Sequence, residues 1–271
     1  MLKRIDHIVV VVHQLDRAAQ CAARAGFTVV PGGAHAGGET HNALIAFQDG
    51  TYVELLAFRT ANPEPEHYFS ERHRLGSGLA EFSLLTDDID HEVSAMASRG
   101  VTYPTPTHLG RAKPDGTRVE WRMSLPAGIH PGKGLPFLME DTSDRVLRVP
   151  SGRAETSHAN GAVGVAGVSV VVPDLEVATP EYRAILGTAP DRSTVVGLAG
   201  KGIVRLDLPG ESGQWIALIQ AMPGSAPAAY LRHFGVGPYA VNLCRELDAD
   251  IHPGDGQLID PELMSGARFY L

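Results

Sequence analysis

A chain of 271 residues with 44% hydrophobic content is long enough for one large or two ordinary domains with a proper core. Its 23 basic and 31 acidic residues leave a net charge of -8, with no run of Lys or Arg to track phosphates, which argues against nucleic acid or an anionic membrane as partner. Cys21 and Cys244 lie far apart and outside any CxxC spacing, so neither a disulfide framework nor a thiolate zinc site is signalled, and a reducing cytoplasm is the expected location.

No stretch reaches the ~18 apolar residues of a membrane span, and the start of the chain reads as a strand. Ile5 to Val12 is β-branched and bounded by polar residues; Gln14 to Ala25 is alanine-rich and stops at Gly26, a helix. Phe27 to Val30 reads as a short strand, Pro31 to Thr40 as a glycine-rich loop, and Asn42 to Phe47 with Thr51 to Phe58 as a hairpin around Gln48-Asp49-Gly50. Asn62 to Gly78 is charged and proline-bearing, a solvated connector. Strand Leu79 to Leu85, a helix capped by Asp88 or Asp90 and ending before Gly100, and strands at Val101 to Tyr103, Thr117 to Leu125 and Leu135 to Glu140 follow.

The order β-α-β-β-β therefore occurs twice, in residues 1–60 and 78–145. At an offset of 74, His7 overlays Glu81, Leu15 overlays Ile89, Asp16 overlays Asp90 and Gly26 overlays Gly100. Glu54 overlays Glu140 at an offset of 86, the extra residues being assigned to insertions at 111–116 and 127–134. Residues 141–161 read as a polar linker. Residues 162–271 echo the module more weakly: Gly167 stands where His7 does, and Trp215-Ile216-Ala217-Leu218-Ile219-Gln220 replaces the Glu54 strand, so this region is expected to be structural or a lid. The predicted fold class is α+β, with paired βαβββ modules forming a cup-shaped mixed sheet and a degenerate third and fourth module at the C-terminus.

His7, Glu54, Glu81 and Glu140 occupy two pairs of equivalent places, a pattern expected of a metal site at an internal pseudo-twofold. One imidazole and three carboxylates form a hard, oxygen-rich set suited to Mn, Fe(II), Mg or Ni, with Zn also open. With all carboxylates ionised the shell is net negative, so Glu81 or Glu140 is the candidate to be displaced and act as a proton-shuttling base. The plainer alternative makes the glutamates solvent-facing strand residues and His7 a satisfied core histidine. Glu54 sits between Val53 and Leu55-Leu56, where an unpaired buried carboxylate would be costly.

Asp6-His7-Ile8-Val9-Val10-Val11, Gly26-Phe27, His35-Ala36-Gly37, Thr40-His41-Asn42-Ala43-Leu44 and Val53-Glu54-Leu55 resemble the glyoxalase-like domain subgroup of the vicinal oxygen chelate superfamily, over roughly residues 1–145. The resemblance implies that each module forms half a cup around one divalent ion. Carried over by position, the ligands are His7, Glu54, Glu81 and Glu140, although His or Gln is commoner at the place of Glu81. It also favours His35 and Asn42, in the segment entering the third strand, as substrate contacts. Strand alternation separates Trp121, a candidate pocket wall, from Arg122, a candidate anion anchor.

The function expected first is a metal-dependent enzyme that binds two oxygens of a small organic substrate and moves a proton with a carboxylate, as an isomerase or lyase does. A metal-free drug- or metabolite-binding protein, possibly a homodimer, is the alternative. An extradiol-type dioxygenase stands behind both, because it calls for two His and one carboxylate, and a glutathione-linked glyoxalase is weaker still.

Overall fold

The structure is a computed structural model and describes residues 1–35, 37–112, 116–126, 134–188, 193–195 and 202–271. The first module comprises β1 (Leu2–Val12), α1 (Leu15–Arg24), β2 (Val30–Ala34), β3 (Thr40–Ala46) and β4 (Tyr52–Phe58). Helix α2 (Ser70–Leu75) leads to the second module, β5 (Gly78–Thr86), α3 (Ile89–Ser98), β6 (Thr107–Ala112), β7 (Arg118–Ser124) and β8 (Phe137–Asp141). Their strands form one curled eight-stranded sheet, β2-β3-β4-β1-β5-β8-β7-β6, with β1 parallel to β4, β5 parallel to β8, and β1 antiparallel to β5 at the centre.

The internal symmetry is visible at single residues. Gly26 and Gly100 end α1 and α3 with φ of 88° and 90°, a conformation that costs glycine little. Asp88, rather than Asp90, caps α3 by accepting a hydrogen bond from the His91 amide. In the β1–β5 ladder Asp6 is an extra residue on one strand and Ala80 on the other, so both strands bulge at positions that share the offset of Leu15 and Ile89. A bulge re-aims its side chains, and here it leaves Asp6 and the next residue, His7, both buried and in contact.

β9 (Gly164–Val172), α4 (Leu175–Leu186), β10 (Ser193–Val195), β11 (Ile203–Asp207) and β12 (Trp215–Gln220) repeat the module. The fourth copy, beyond α5 (Ala226–Phe234), is reduced to β13 (Gly237–Cys244) and β14 (Phe269–Tyr270). The second sheet runs β10-β11-β12-β9-β13-β14. One continuous core joins the two sheets: Ile8, Val10, Phe82 and Leu84 from the first, with Val168, Val170, Ile216, Leu218 and Val241 from the second. Period-two alternation leaves His7, Val9 and Val11 on the other, concave face of β1.

The Trp215 indole lies on Gly167, where a Cβ would come within 2.2 Å of the ring. By strand register this pair stands where Tyr52 and His7 pair in the first module. An aromatic ring thus fills the third module at the place of the histidine, and the C-terminal region backs the first sheet instead of covering its cup.

Several sequence expectations shift. The strand expected at Phe27 to Val30 forms at Val30–Ala34, inside the glycine-rich stretch; Val101 to Tyr103 is not a strand, while Thr107–Ala112 is. The connector 62–78 carries α2, whose Arg72 is buried and donates to the carbonyls of Gly76, Ser77 and Leu79. Residues 141–161 are no loose linker either, since Arg148 is only 7% exposed. Much of the two expected insertions, residues 113–115 and 127–133, lies outside the described residues. Among the described residues no helix is long and apolar enough to cross a membrane.

Leu84 is fully buried where the two sheets share their core. Leu84→Ala is expected to lower the unfolding free energy by about 2–5 kcal/mol, the range for a large aliphatic removed from a close-packed site, read from the midpoint of urea unfolding.

Candidate functional site

The concave face of the first sheet encloses a cavity of about 350 Å³. Its walls are apolar: Val9 from β1, Leu44 from β3, Leu56 from β4, Trp121 and Met123 from β7, Phe137 and Met139 from β8. Tyr68 and Phe69, from the segment before α2, close over part of it. None of the lining residues comes from beyond Arg148. The polar groups gather at one end, where His7, His35, Asn42 and Glu54 meet.

Glu54 is the centre of that end. Its Oε1 accepts from the Asn42 amide at 2.6 Å and lies 3.1 Å from His35 Nε2, while its Oε2 lies 3.6 Å from His7 Nε2. Burial by itself would raise the pKa of the carboxyl, but the His35 hydrogen bond, the charges of His35 and His7, and the Asn42 amide outweigh it and hold Glu54 at about 2. For His35 burial works against protonation and Glu54 works for it more strongly, so its pKa is raised. A protonated His35 donates from Nε2 to Glu54 and from Nδ1 to Thr40 Oγ1, 2.7 Å away. Glycine at position 32 lets β2 pack onto this group, because a Cβ there would lie 2.0 Å from Asn42 Oδ1.

His7 is held from behind. Its Nδ1 lies 2.7 Å from Asp6 Oδ2 and 2.8 Å from Ser83 Oγ, and its ring stacks on Tyr52 with centroids 4.6 Å apart. Asp6 is fully buried. Arg148 binds it with two nitrogens, each at 3.0 Å, and Arg145 approaches to 2.6 Å; Arg148 also donates to the Tyr52 hydroxyl and, with Arg145, to Asp141. Burial opposes the Asp6 charge, yet the two guanidinium groups and His7 keep its pKa well below the usual carboxylate range. An ionised carboxylate only accepts, so in the neutral imidazole the proton sits on Nδ1 and the Nε2 lone pair faces the cavity.

The structure places the residues singled out in the sequence as follows. His7 and Glu54 meet at the polar end, with His35 and Asn42 hydrogen-bonded to it. Glu81 is buried on the concave face, its Oε1 accepting from the Tyr68 hydroxyl at 3.1 Å, and it is not among the lining residues. Trp121 lines the cavity. Arg122 and Glu140 lie on the opposite side of the sheet, where Arg122 grips Asp90 of α3 with two bonds of 2.7 Å and Glu140 at 3.3 Å. The strand register explains the position of Glu140: Val9 pairs with Glu54, whereas Ser83, the equivalent of Val9, pairs with Phe137. The repeat therefore puts a phenylalanine, not a glutamate, opposite Glu54.

The ion expected from the resemblance does not fit this donor set. Two of its four ligands are turned to other partners, and Glu54 is already neutralised by His35. Among the described residues no group of three His, Cys, Asp or Glu is arranged to hold a metal ion. The sequence reading missed the Asp6–Arg148–Arg145–Asp141 cluster, Tyr52, Tyr68 and Arg111. Asp6, a charge inside a β-branched run, carried a usable signal, whereas Arg148 carried none.

A family model described as a glyoxalase-like domain matches residues 5–186. A hypothetical protein from Staphylococcus aureus has a solved structure that superposes with a TM-score of 0.69 at 17% identity, over 99% of both chains. A mutant of 4-hydroxymandelate synthase from Streptomyces coelicolor reaches 0.57 at 13% identity, over 90% of this chain and 71% of its own. A fusion of a xylose isomerase-like TIM barrel with 4-hydroxyphenylpyruvate dioxygenase reaches 0.51 at 14%, over 90% of this chain and 36% of its own. Identities this low show a shared fold alone. No curated protein matches the sequence.

The His35–Glu54 pair makes stability depend on pH. A raised histidine pKa contributes stability that is fully present below the unfolded value of 6.5 and is lost as pH rises through the folded value. The depressed Glu54 contributes above its unfolded value of 4.5 and loses that contribution only as pH falls through about 2. The unfolding midpoint in urea should therefore decline above pH 6.5 in the parent, and this part of the decline should be missing in His35→Gln. An equal decline in the variant would contradict the pairing.

Proposed function

The chain belongs to the glyoxalase-like domain family of the vicinal oxygen chelate superfamily, and on that premise we propose that its first cup takes up a small, mainly apolar organic molecule and moves a proton on it with His7. The observation that carries this reading is the pairing of His7 Nε2 and Glu54 Oε2, 3.6 Å apart at the polar end of an otherwise apolar cavity of about 350 Å³. The two atoms face the same space without bonding each other. A carbon acid or hydroxyl placed over the pair meets the imidazole nitrogen beside a fixed negative charge.

In this reading the hydrocarbon body of the ligand lies against Trp121, Met123 and Phe137, and its acidic C–H or O–H reaches the floor. His7 takes the proton on Nε2. Asp6 on Nδ1 and Glu54 beside the ring stabilise the imidazolium that results. Glu54 itself, held at about 2, is a poor base and acts through its charge. Tyr52 stacked on the ring and Ser83 beside it fix its plane. Enolisation of this kind belongs to isomerase- or lyase-type chemistry. The four-ligand ion site forms no part of it, because Glu140 lies behind the sheet and Glu81 lies beneath Tyr68.

The test is binding and deuterium exchange. Enolisable aryl ketones and keto acids are titrated by tryptophan fluorescence, then followed by NMR in D₂O with a chelator present. The parent is expected to bind ligand and to exchange the proton next to the carbonyl, with His7→Ala slowing exchange by about 10²–10⁴-fold, the usual contribution of a positioned base. Binding without exchange would reduce the protein to a carrier. Exchange that vanishes with chelator and returns with Mn, Fe, Ni, Mg or Zn would overturn the metal-independent reading.

A further inference from the structure

The charges lining the cup do not all find partners within it. Arg148 uses every one of its donor nitrogens, on Asp6, Asp141 and Tyr52. Glu54 is balanced by His35. Glu39 stands at the mouth with its side chain 55% exposed, 3.9 Å from His67. Arg111 differs: among the described residues it has no carboxylate partner, and its one hydrogen bond, from Nη1 to the Gly32 carbonyl at 2.6 Å, points the guanidinium and leaves its other donors open.

Arg111 is also placed for use. It sits on β6 in the alternation that sends Leu109 into the cup beside Trp121, and it lines the cavity. Its charge is near enough to oppose protonation of His35. The backbone of β2 makes room for it at Gly33, whose φ is 127° and where a Cβ would stand 3.3 Å from Nη1. A half-buried guanidinium with open donors beside apolar walls offers a ligand anion charge-assisted hydrogen bonds.

We propose that the ligand of this cup is a small monocarboxylate with an aryl or alkyl body, its carboxylate held by Arg111 and its body by Leu109, Trp121 and Met123. The assignment rests on the reading of the cup as a ligand site. It specifies a single charge for a physical reason. Among the described residues that line the cup, one unpartnered cation matches one carboxylate, whereas a phosphate or a dicarboxylate would bring a second charge towards Glu39 and Glu54 with no second unpartnered cation of that lining to meet it. The planar guanidinium matches the two carboxylate oxygens in a way that an amide cannot.

The experiment uses pairs of probes: phenyl-alkanoates of increasing chain length and the primary amide of each, titrated into the full chain by calorimetry. The parent is expected to bind at least one acid ten-fold or more tightly than its amide, with the difference shrinking as salt rises. Arg111→Met should bring the acid down to the level of the amide and leave the amide unchanged, and Arg111→Lys should recover part of the gap. Equal binding of acid and amide by the parent, or a preference that survives in Arg111→Met, would overturn the carboxylate assignment and leave the cup as a ligand site. Failure of every acid and amide to bind at millimolar concentration would overturn both.

Discussion

The buried charge of Asp6 is the constraint on which the site depends. A carboxylate in the middle of an apolar strand cannot stay ionised alone, and the chain answers with two arginines from the segment after β8. Removing one partner from such a buried group typically costs about 3–5 kcal/mol, because the remaining charge is left uncompensated. The cluster thereby ties β1, β4 and β8 to a stretch that looked like a linker, and its contacts bridge 142 positions of sequence. Its functional consequence is local: Asp6 occupies Nδ1 of His7, so the free nitrogen of the ring is the one that faces the cup.

That orientation has value only because the sheet around it is curled and dry. The bulges at Asp6 and Ala80 let adjacent side chains of β1 serve different ends, with Asp6 turned towards the arginines and His7 towards the cavity. The second sheet closes the convex side and supplies the core against which β1 and β5 are packed. The repeat has diverged in a telling direction. Where the first module has His7 and Tyr52, the third has Gly167 beneath Trp215, and where the first has Glu54 the register puts Ala217. One cup keeps polar groups at its floor, and at the equivalent place of the third module a glycine and a tryptophan pack together.

Much of this was legible in the sequence. Hydrophobic periodicity and the helix-stopping glycines located the βαβββ order, and the offset that pairs Leu15 with Ile89 holds in the structure down to the bulges. His35 and Asn42 were favoured by the resemblance alone, and both are found in hydrogen-bonding contact with Glu54. Glu140 illustrates what was not legible: the side-chain period of a strand is two, so a small misjudgement of an inserted loop turns a residue to the other face. Residues 127–133, which precede β8, lie outside the described residues. Arg122 suffered no such error, since alternation separated it from Trp121, but alternation alone could not say that Asp90 of α3 would claim it. Arg145 and Arg148 were illegible for a different reason, because their partners are distant in sequence and no local pattern encodes a long-range ion pair.

The most direct measurement is the protonation pattern of the His7 ring, read from its ¹⁵N chemical shifts in labelled protein above the pH at which the imidazole becomes neutral, with Asp6→Asn as comparison. The parent is expected to carry a proton on Nδ1 and an unprotonated Nε2, with that preference lost or reversed when the asparagine amide replaces the carboxylate. A neutral His7 that carries its proton on Nε2 in the parent would contradict this, since the nitrogen facing the cup would then be a donor and not the base.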